Sequence, residues 1–432
     1  MRRSRPLGGS PSGCGGGGGR AGALPAALLA LAALLVPAAR APAQSSGPRA
    51  GRPGTLLDWS FREQYSPARI DELARPLFEG FPAPSLRFSV DTYSLRFRST
   101  DFDGSAAEIQ AQLFVPRYVE PESRPVLVFG SGTTGISDDC APSREVPELR
   151  RWGHYRANML AYASGGFITV FPDYLGFNDP NRPQRYFSRD AEAHVLLDAA
   201  RAVRAFFAVY PQKASPSGVV FAAGYSQGGH AAFAAADLAP LYAPDVRLRG
   251  IIGFAATTSV TALLKEGAYY APHVLFSYAS IYGRQRINPG EYLQERWART
   301  LEQDADRMCV DEFQNFYPFD GRKLFRPEFY EALHADRLAK EYPALAEALA
   351  ANQSGLSGHG LPALVVQGDA DAIVTTPTQA SFVEELQRGG SEVRFLVLKG
   401  VQHRYTRPAG FQASVEWMES LAAAGGPHSG SP

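Results

Sequence analysis

The stretch VVFAAGYSQGGHAAFAAADLA (219–239) joins a short apolar run to an alanine-rich helical one through a serine flanked by glycines. The run VVFAA reads as a strand buried on both faces, and QGGHAAFAAADLA as the helix that follows it. Between them Gly224, Ser226 and Gly228 fit G-x-S-x-G. A serine on so sharp a strand-to-helix turn needs small residues two positions either side, because larger ones would collide with the neighbouring strand and helix. The helix then aims its N-terminal N–H groups at charge developing beside the serine. Glycine and serine are common at any βα turn, so the pentapeptide alone could be a plain turn. The strand before it and the helix after it make Ser226 the candidate nucleophile.

The same alternation extends outward. PVLVFG (125–130) and FITVFPDY (167–174) read as further buried strands, and RGIIGFAAT (249–257), PALVVQGDA (362–370) and EVRFLVLKG (392–400) as further strands of the sheet. VPELRRWGHYRANMLAYASGG and SRDAEAHVLLDAARAVRAFFAVYP have helical spacing, the second with Ser188 or Asp190 as N-cap. Strand and helix in turn imply right-handed crossovers and an α/β fold, a mostly parallel sheet with helices on both faces. SLRFSVDTYSLRFRST (85–100) alternates like an antiparallel edge strand, and AEIQAQLFVPR repeats the pattern. About a hundred residues, 258–358, interrupt the alternation as an inserted domain. The breaks divide the chain into an N-terminal extension (44–84), a core in two parts (85–257 and 359–420), the insertion (258–358) and a polar tail (421–432).

A serine hydroxyl is unreactive until a base takes its proton, and the base needs an orienting acid. PALVVQG runs into DADAIV, which offers Asp369 and Asp371. Asp371 is favoured because there the chain has cleared the strand and turns back over the sheet. His403 sits on the loop after the last strand, where an imidazole can reach both partners. The other histidines fall on helices (His154, His194, His230), in the insertion and its exit (His273, His334, His359) or in the tail (His428). The oxyanion needs two backbone donors. One is the N–H of Gln227; the other comes from the loop GSGTTG, as Gly132 or Thr133. That loop lacks the lysine of a phosphate-binding P-loop, and no dinucleotide fingerprint or metal-ligand spacing occurs elsewhere, so no cofactor and no metal is expected.

The chain has 43 basic and 43 acidic side chains, a balance that favours neither nucleic acid nor an anionic membrane surface. Residues 1–43 read as an export signal: a basic, glycine-rich lead-in, an apolar stretch, and Ala41 and Ala43 at the small-residue positions of a cleavage site. The mature chain is then secreted or periplasmic; an uncleaved stretch would instead anchor it to a membrane. Two cysteines remain, Cys140 and Cys309. An even pair in an oxidising compartment reads as a disulfide, with two unrelated buried thiols as the alternative.

GSGTTGISDDCAPS, FPDYLG, GYSQGG and QGDADAIV, in that order, resemble the α/β-hydrolase superfamily. Within it they are most similar to secretory lipases of the fungal lipase A type and their bacterial relatives, over roughly residues 85–410. The resemblance implies a serine esterase or lipase with a triad of Ser226, Asp371 and His403 and a helical cap at 258–358. It also implies that Cys140, within DCAPS, is bridged to the cap, which makes Cys309 its partner. Most hydrolases of this class carry a histidine where Ser131 stands, which blurs the choice of loop donor.

Residues 266–330 hold fourteen aromatic side chains, about twice the chain-wide share of 11%. Half are expected to form the insertion's own core and the rest to wall an apolar pocket. Such a pocket suits a small hydrophobic ester, and the cap could touch a lipid surface transiently. Arg284, Arg286, Arg296 and Arg299 lie among these aromatics, with Glu291 and Glu295 as expected partners. A serine peptidase on the same fold is the alternative; a non-catalytic scaffold protein would not need all three triad residue types.

Overall fold

A computed structural model describes residues 51–146 and 152–424. The expected export signal therefore lies outside the described residues, as does the tail from 425. Nine strands form one sheet: β1 (Leu56–Tyr65), β2 (Val90–Thr100), β3 (Ala106–Pro116), β4 (Glu122–Gly130), β5 (Ile168–Pro172), β6 (Ala214–Tyr225), β7 (Leu248–Phe254), β8 (Ala363–Gly368) and β9 (Val393–Leu398). Their spatial order is β1-β2-β3-β5-β4-β6-β7-β8-β9. β1, β2 and β3 pair antiparallel, as does β3 with β5, and every pair from β5 to β9 is parallel. The parallel centre is buried on both faces: Val126, Leu127, Val128 and Phe129 of β4 and Ala363 to Val366 of β8 are at most 2% exposed. That burial explains why these strands read as unbroken apolar runs.

The expected edge position of β2 is not found. β1 covers it, with Trp59 packed on Tyr93 and on Phe206 and Tyr210. Only Leu56, Trp59 and Tyr65 of β1 pack in or against the core, and Phe61 is 54% exposed. Charged residues between the aromatics hid the strand in what reads as an extension.

Two helix groups flank the sheet, as a two-faced core requires. α1 (Pro67–Phe78), α2 (Tyr155–Ser164) and the C-terminal helix Thr406–Ala424 meet through Phe78 and Tyr162, both packed on Phe411. α3 (Arg189–Val209) and α4 (Gln227–Tyr242) pack together, and Phe233 of α4 reaches Phe382 on the helix Thr376–Arg388. Ser188 is the N-cap of α3. The last helix continues to Ala424, so the first residues of the expected polar tail are helical.

Between β7 and β8 the insertion is helical. It opens with α5 (Val260–Glu266) and α6 (Ala271–Tyr282) and continues in short helices to Pro343–Ala351. Tyr292, Phe325 and Phe329 form one of its aromatic cores, and Phe313 packs on His273 in another. Phe316 and Phe319 remain exposed. The arginines do not pair with Glu291 and Glu295. Arg284 meets Glu302, Arg286 meets Glu347 at 2.6 Å, and Arg296 donates to the Lys323 carbonyl while lying over Trp297. Packing between helices, rather than nearness in sequence, selects these partners.

Cys140 and Cys309 form a disulfide that closes a separation of 169 residues. Gly135 bridges Cys309 in a short β-contact, and the Val310 N–H donates to the Thr134 carbonyl at 2.8 Å. The insertion is thus bound to the loop after β4. Loop-closure entropy for that length is worth about 5 kcal/mol, an upper figure for natural bridges. Cys309→Ser should lower the unfolding free energy by roughly 2–5 kcal/mol, read as a lower urea midpoint, with a steeper slope because the freed unfolded chain exposes more surface.

Candidate active site

Ser226 stands between β6 and α4 with φ 54° and ψ −114°, a conformation L-residues rarely adopt. The backbone around it holds that shape. Its N–H donates to the Phe254 carbonyl, and its own carbonyl accepts from the Gly229, His230 and Thr257 N–H groups. A Cβ at Gly224 would overlap the Gly228 carbonyl, and one at Gly228 would overlap the Gly130 carbonyl. Both glycines are therefore required by the close approach of α4 to β4 and β6.

The Ser226 Oγ lies 3.0 Å from His403 Nε2, and His403 Nδ1 lies 2.7 Å from Asp371 Oδ2. The other Asp371 oxygen accepts from the Ile373 and Val374 N–H groups at 2.8 and 2.9 Å. The carboxylate is held on both sides, with one oxygen left for the imidazole. Asp369 faces elsewhere: its Oδ1 accepts from the exposed Gly400 N–H at 2.5 Å. Ser226, Asp371 and His403 are 5%, 6% and 9% exposed, and such burial strengthens the hydrogen bonds among them.

On the oxyanion side, Gln227 is the first residue of α4. In the facing loop the Gly132 N–H is already donated to Tyr155 Oη at 2.7 Å. Of the two expected loop donors, that leaves Thr133, whose hydroxyl meets Tyr186 Oη at 2.7 Å. Tyr155 and Tyr225 sandwich the buried Arg407 guanidinium, 4.4 and 5.0 Å from their ring centres. A cation therefore sits behind both the loop and Ser226.

Several contributors were invisible in the sequence. Thr257 Oγ1 lies 3.4 Å from Ser226 Oγ. Glu192 of α3 accepts from the Gln227 side chain, and Tyr155 accepts from Gly132. Each stands 23 to 35 residues from its partner, and no local pattern marks it. Among the described residues no group of three His, Cys, Asp or Glu side chains is placed to hold a metal.

The DCAPS loop is pinned by Asp173 of FPDY, which accepts from the Ser143 N–H and hydroxyl at 2.8 and 2.6 Å and from the Asn178 amide. Burial pushes this carboxyl from its ordinary 3.8 up to about 6, against the pull of those donors. The folded state then binds the proton more tightly than the unfolded chain. Its stabilising contribution is complete below pH 3.8 and is lost as pH rises through about 6. The shift corresponds to about 3 kcal/mol. Asp173→Asn should flatten that fall when urea unfolding is measured from pH 4 to 7.

Comparison with known proteins agrees with this architecture. Residues 157–427 match the model of the family described as Secretory lipase. A protein of Stachybotrys chartarum named as a probable trichothecene esterase is 23% identical over 351 residues, 76% of this chain and 68% of that one. Lipase 1 of Candida albicans is 25% identical over 234 residues, covering 50% of this chain and 48% of the relative. In structure, the rice cell wall degrading esterase LipA from Xanthomonas oryzae superposes with a TM-score of 0.67 at 20% identity, covering 87% of this chain and 98% of that one. Candida antarctica lipase A gives 0.61 at 19%, covering 87% and 84%. Among the described residues no helix is long and apolar enough to cross a membrane. The chain belongs to the secretory lipase family and is a carboxylic-ester hydrolase on the α/β-hydrolase fold.

Proposed function

We propose that this hydrolase cleaves esters of hydrophobic acids or alcohols through an acyl-enzyme on Ser226. The observation that carries the reading is the unbroken hydrogen-bond chain from Ser226 Oγ through His403 to Asp371. His403 takes the hydroxyl proton as Oγ attacks the ester carbonyl, and Asp371 supports the resulting imidazolium. The N–H groups of Gln227 and Thr133 receive the oxyanion. The imidazolium then protonates the departing alkoxide. A water, deprotonated by the same imidazole, attacks the acyl group; the bond to Oγ breaks, the imidazolium returns its proton to Ser226, and the acid departs.

In this reading residues 258–358 act as the cap, and their exposed Phe316 and Phe319 could rest on a lipid surface. Residues 1–43 direct export, which fits both the family description and an oxidised Cys140–Cys309 pair. The test is the mature chain, from residue 44, assayed on p-nitrophenyl esters from acetyl to palmitoyl and on one peptide amide. Ester turnover with an optimum along the acyl series is the expected result. Cleavage of the amide alone would replace the esterase with a peptidase.

A further inference from the structure

We propose that Glu192 and His230 form a buried positioning pair that aims the Gln227 backbone N–H at the developing oxyanion and couples it to the insertion. The inference rests on the reading of Gln227 as an oxyanion donor. Glu192, Gln227 and His230 are each at most 1% exposed. One Glu192 oxygen accepts from Gln227 Nε2 at 2.7 Å and from the Phe187 N–H at 3.0 Å. The other lies 2.6 Å from His230 Nδ1, and His230 Nε2 lies 2.7 Å from the Asn352 carbonyl.

A carbonyl has no proton to give, so His230 Nε2 carries one. The short contact between Nδ1 and Glu192 then needs a second proton, held by either the imidazole or the carboxyl. The pair is therefore neutral as a unit and satisfied at every buried atom, which is the condition for keeping such groups inside. Glu192 also braces the second donor. Phe187, held at φ 54° with its N–H on Glu192 and its carbonyl on Tyr278 Oη, follows Tyr186, whose hydroxyl meets Thr133. One carboxyl group thus supports both sides of the oxyanion site, while His230 carries the connection to the end of the insertion. There Asn352 also accepts from the Arg189 N–H and donates to Tyr282 Oη.

Glu192→Gln keeps every bond, with the amide oxygen accepting from Gln227 and Phe187 and the amide nitrogen donating to a neutral His230. Glu192→Leu and Gln227→Leu break the brace. The full chain and these variants are assayed on an oxo-ester and its thionoester, whose sulfur accepts hydrogen bonds poorly and so draws less on the oxyanion donors. Both leucine variants should lose about ten- to a hundredfold in oxo-ester kcat, with KM within about threefold, and their oxo-to-thiono rate ratio should shrink by a similar factor. Glu192→Gln should stay within about threefold of the parent in both readouts.

If Glu192→Leu does not fold, Gln227→Leu carries the test, because it removes one amide only. A ratio unchanged in Gln227→Leu, or lost equally in Glu192→Gln, overturns the pair. Undiminished ester turnover by Ser226→Ala would overturn the acyl-enzyme reading instead, so the two failures are told apart.

Discussion

Ser226→Ala should lower kcat for ester hydrolysis by on the order of 10⁶, with the fold intact. The hydroxyl makes contacts only at the reacting end, to His403 Nε2 and Thr257 Oγ1. The turn is held by backbone bonds that alanine keeps: the Ser226 N–H on Phe254, and the Ser226 carbonyl under three N–H groups. Alanine bears the same φ 54° strain that serine bears. Thermal unfolding within a few degrees of the parent, beside lost turnover, separates the loss of a nucleophile from the loss of a structure.

The second large effect belongs to the acid. Asp371→Asn should cost about 10⁴ in kcat, while Asp369→Asn should leave kcat nearly unchanged. One Asp371 oxygen must accept from the Ile373 and Val374 N–H groups. An asparagine there turns its amide oxygen to those donors and its NH₂ to His403. The imidazole then has to accept at Nδ1 and carry its proton on Nε2, so it cannot take the proton of Ser226. Side-by-side kcat values for the two asparagine variants check the choice between the two aspartates. Equal losses in both would show that the loop around Gly368, rather than one carboxylate, is what the histidine needs.

The parallel core was legible because burial on both faces leaves an unbroken apolar run, and the sharp turn at Ser226 because only glycine fits where α4 crosses β4. Asp371 was favoured over Asp369 because it stands three residues past Gly368, the end of β8, rather than next to it. β1 was not legible: an edge strand with one exposed face carries a weak pattern, and its Trp59 acquires a role only when Phe206 and Tyr210 arrive from α3. Glu192 was hidden for a related reason. On α3 it reads as one more polar residue near a helix start, and its burial depends on how α3 and α4 pack. Gly132 was chosen for its small size, and the same absence of a side chain lets Tyr155 Oη reach its N–H. The insertion's arginines show the limit of nearness in sequence, since Arg286 passes over Glu291 for Glu347.

Ser226 is proposed to carry the covalent intermediate. The most direct test is to treat the mature chain with a p-nitrophenyl phosphonate, release of nitrophenol being counted against enzyme and the labelled peptide identified by mass spectrometry. The expected result is one nitrophenol per active chain, the phosphonyl group on Ser226, and parallel loss of ester turnover. A label on another residue, or full turnover by a chain whose Ser226 is labelled, would contradict it.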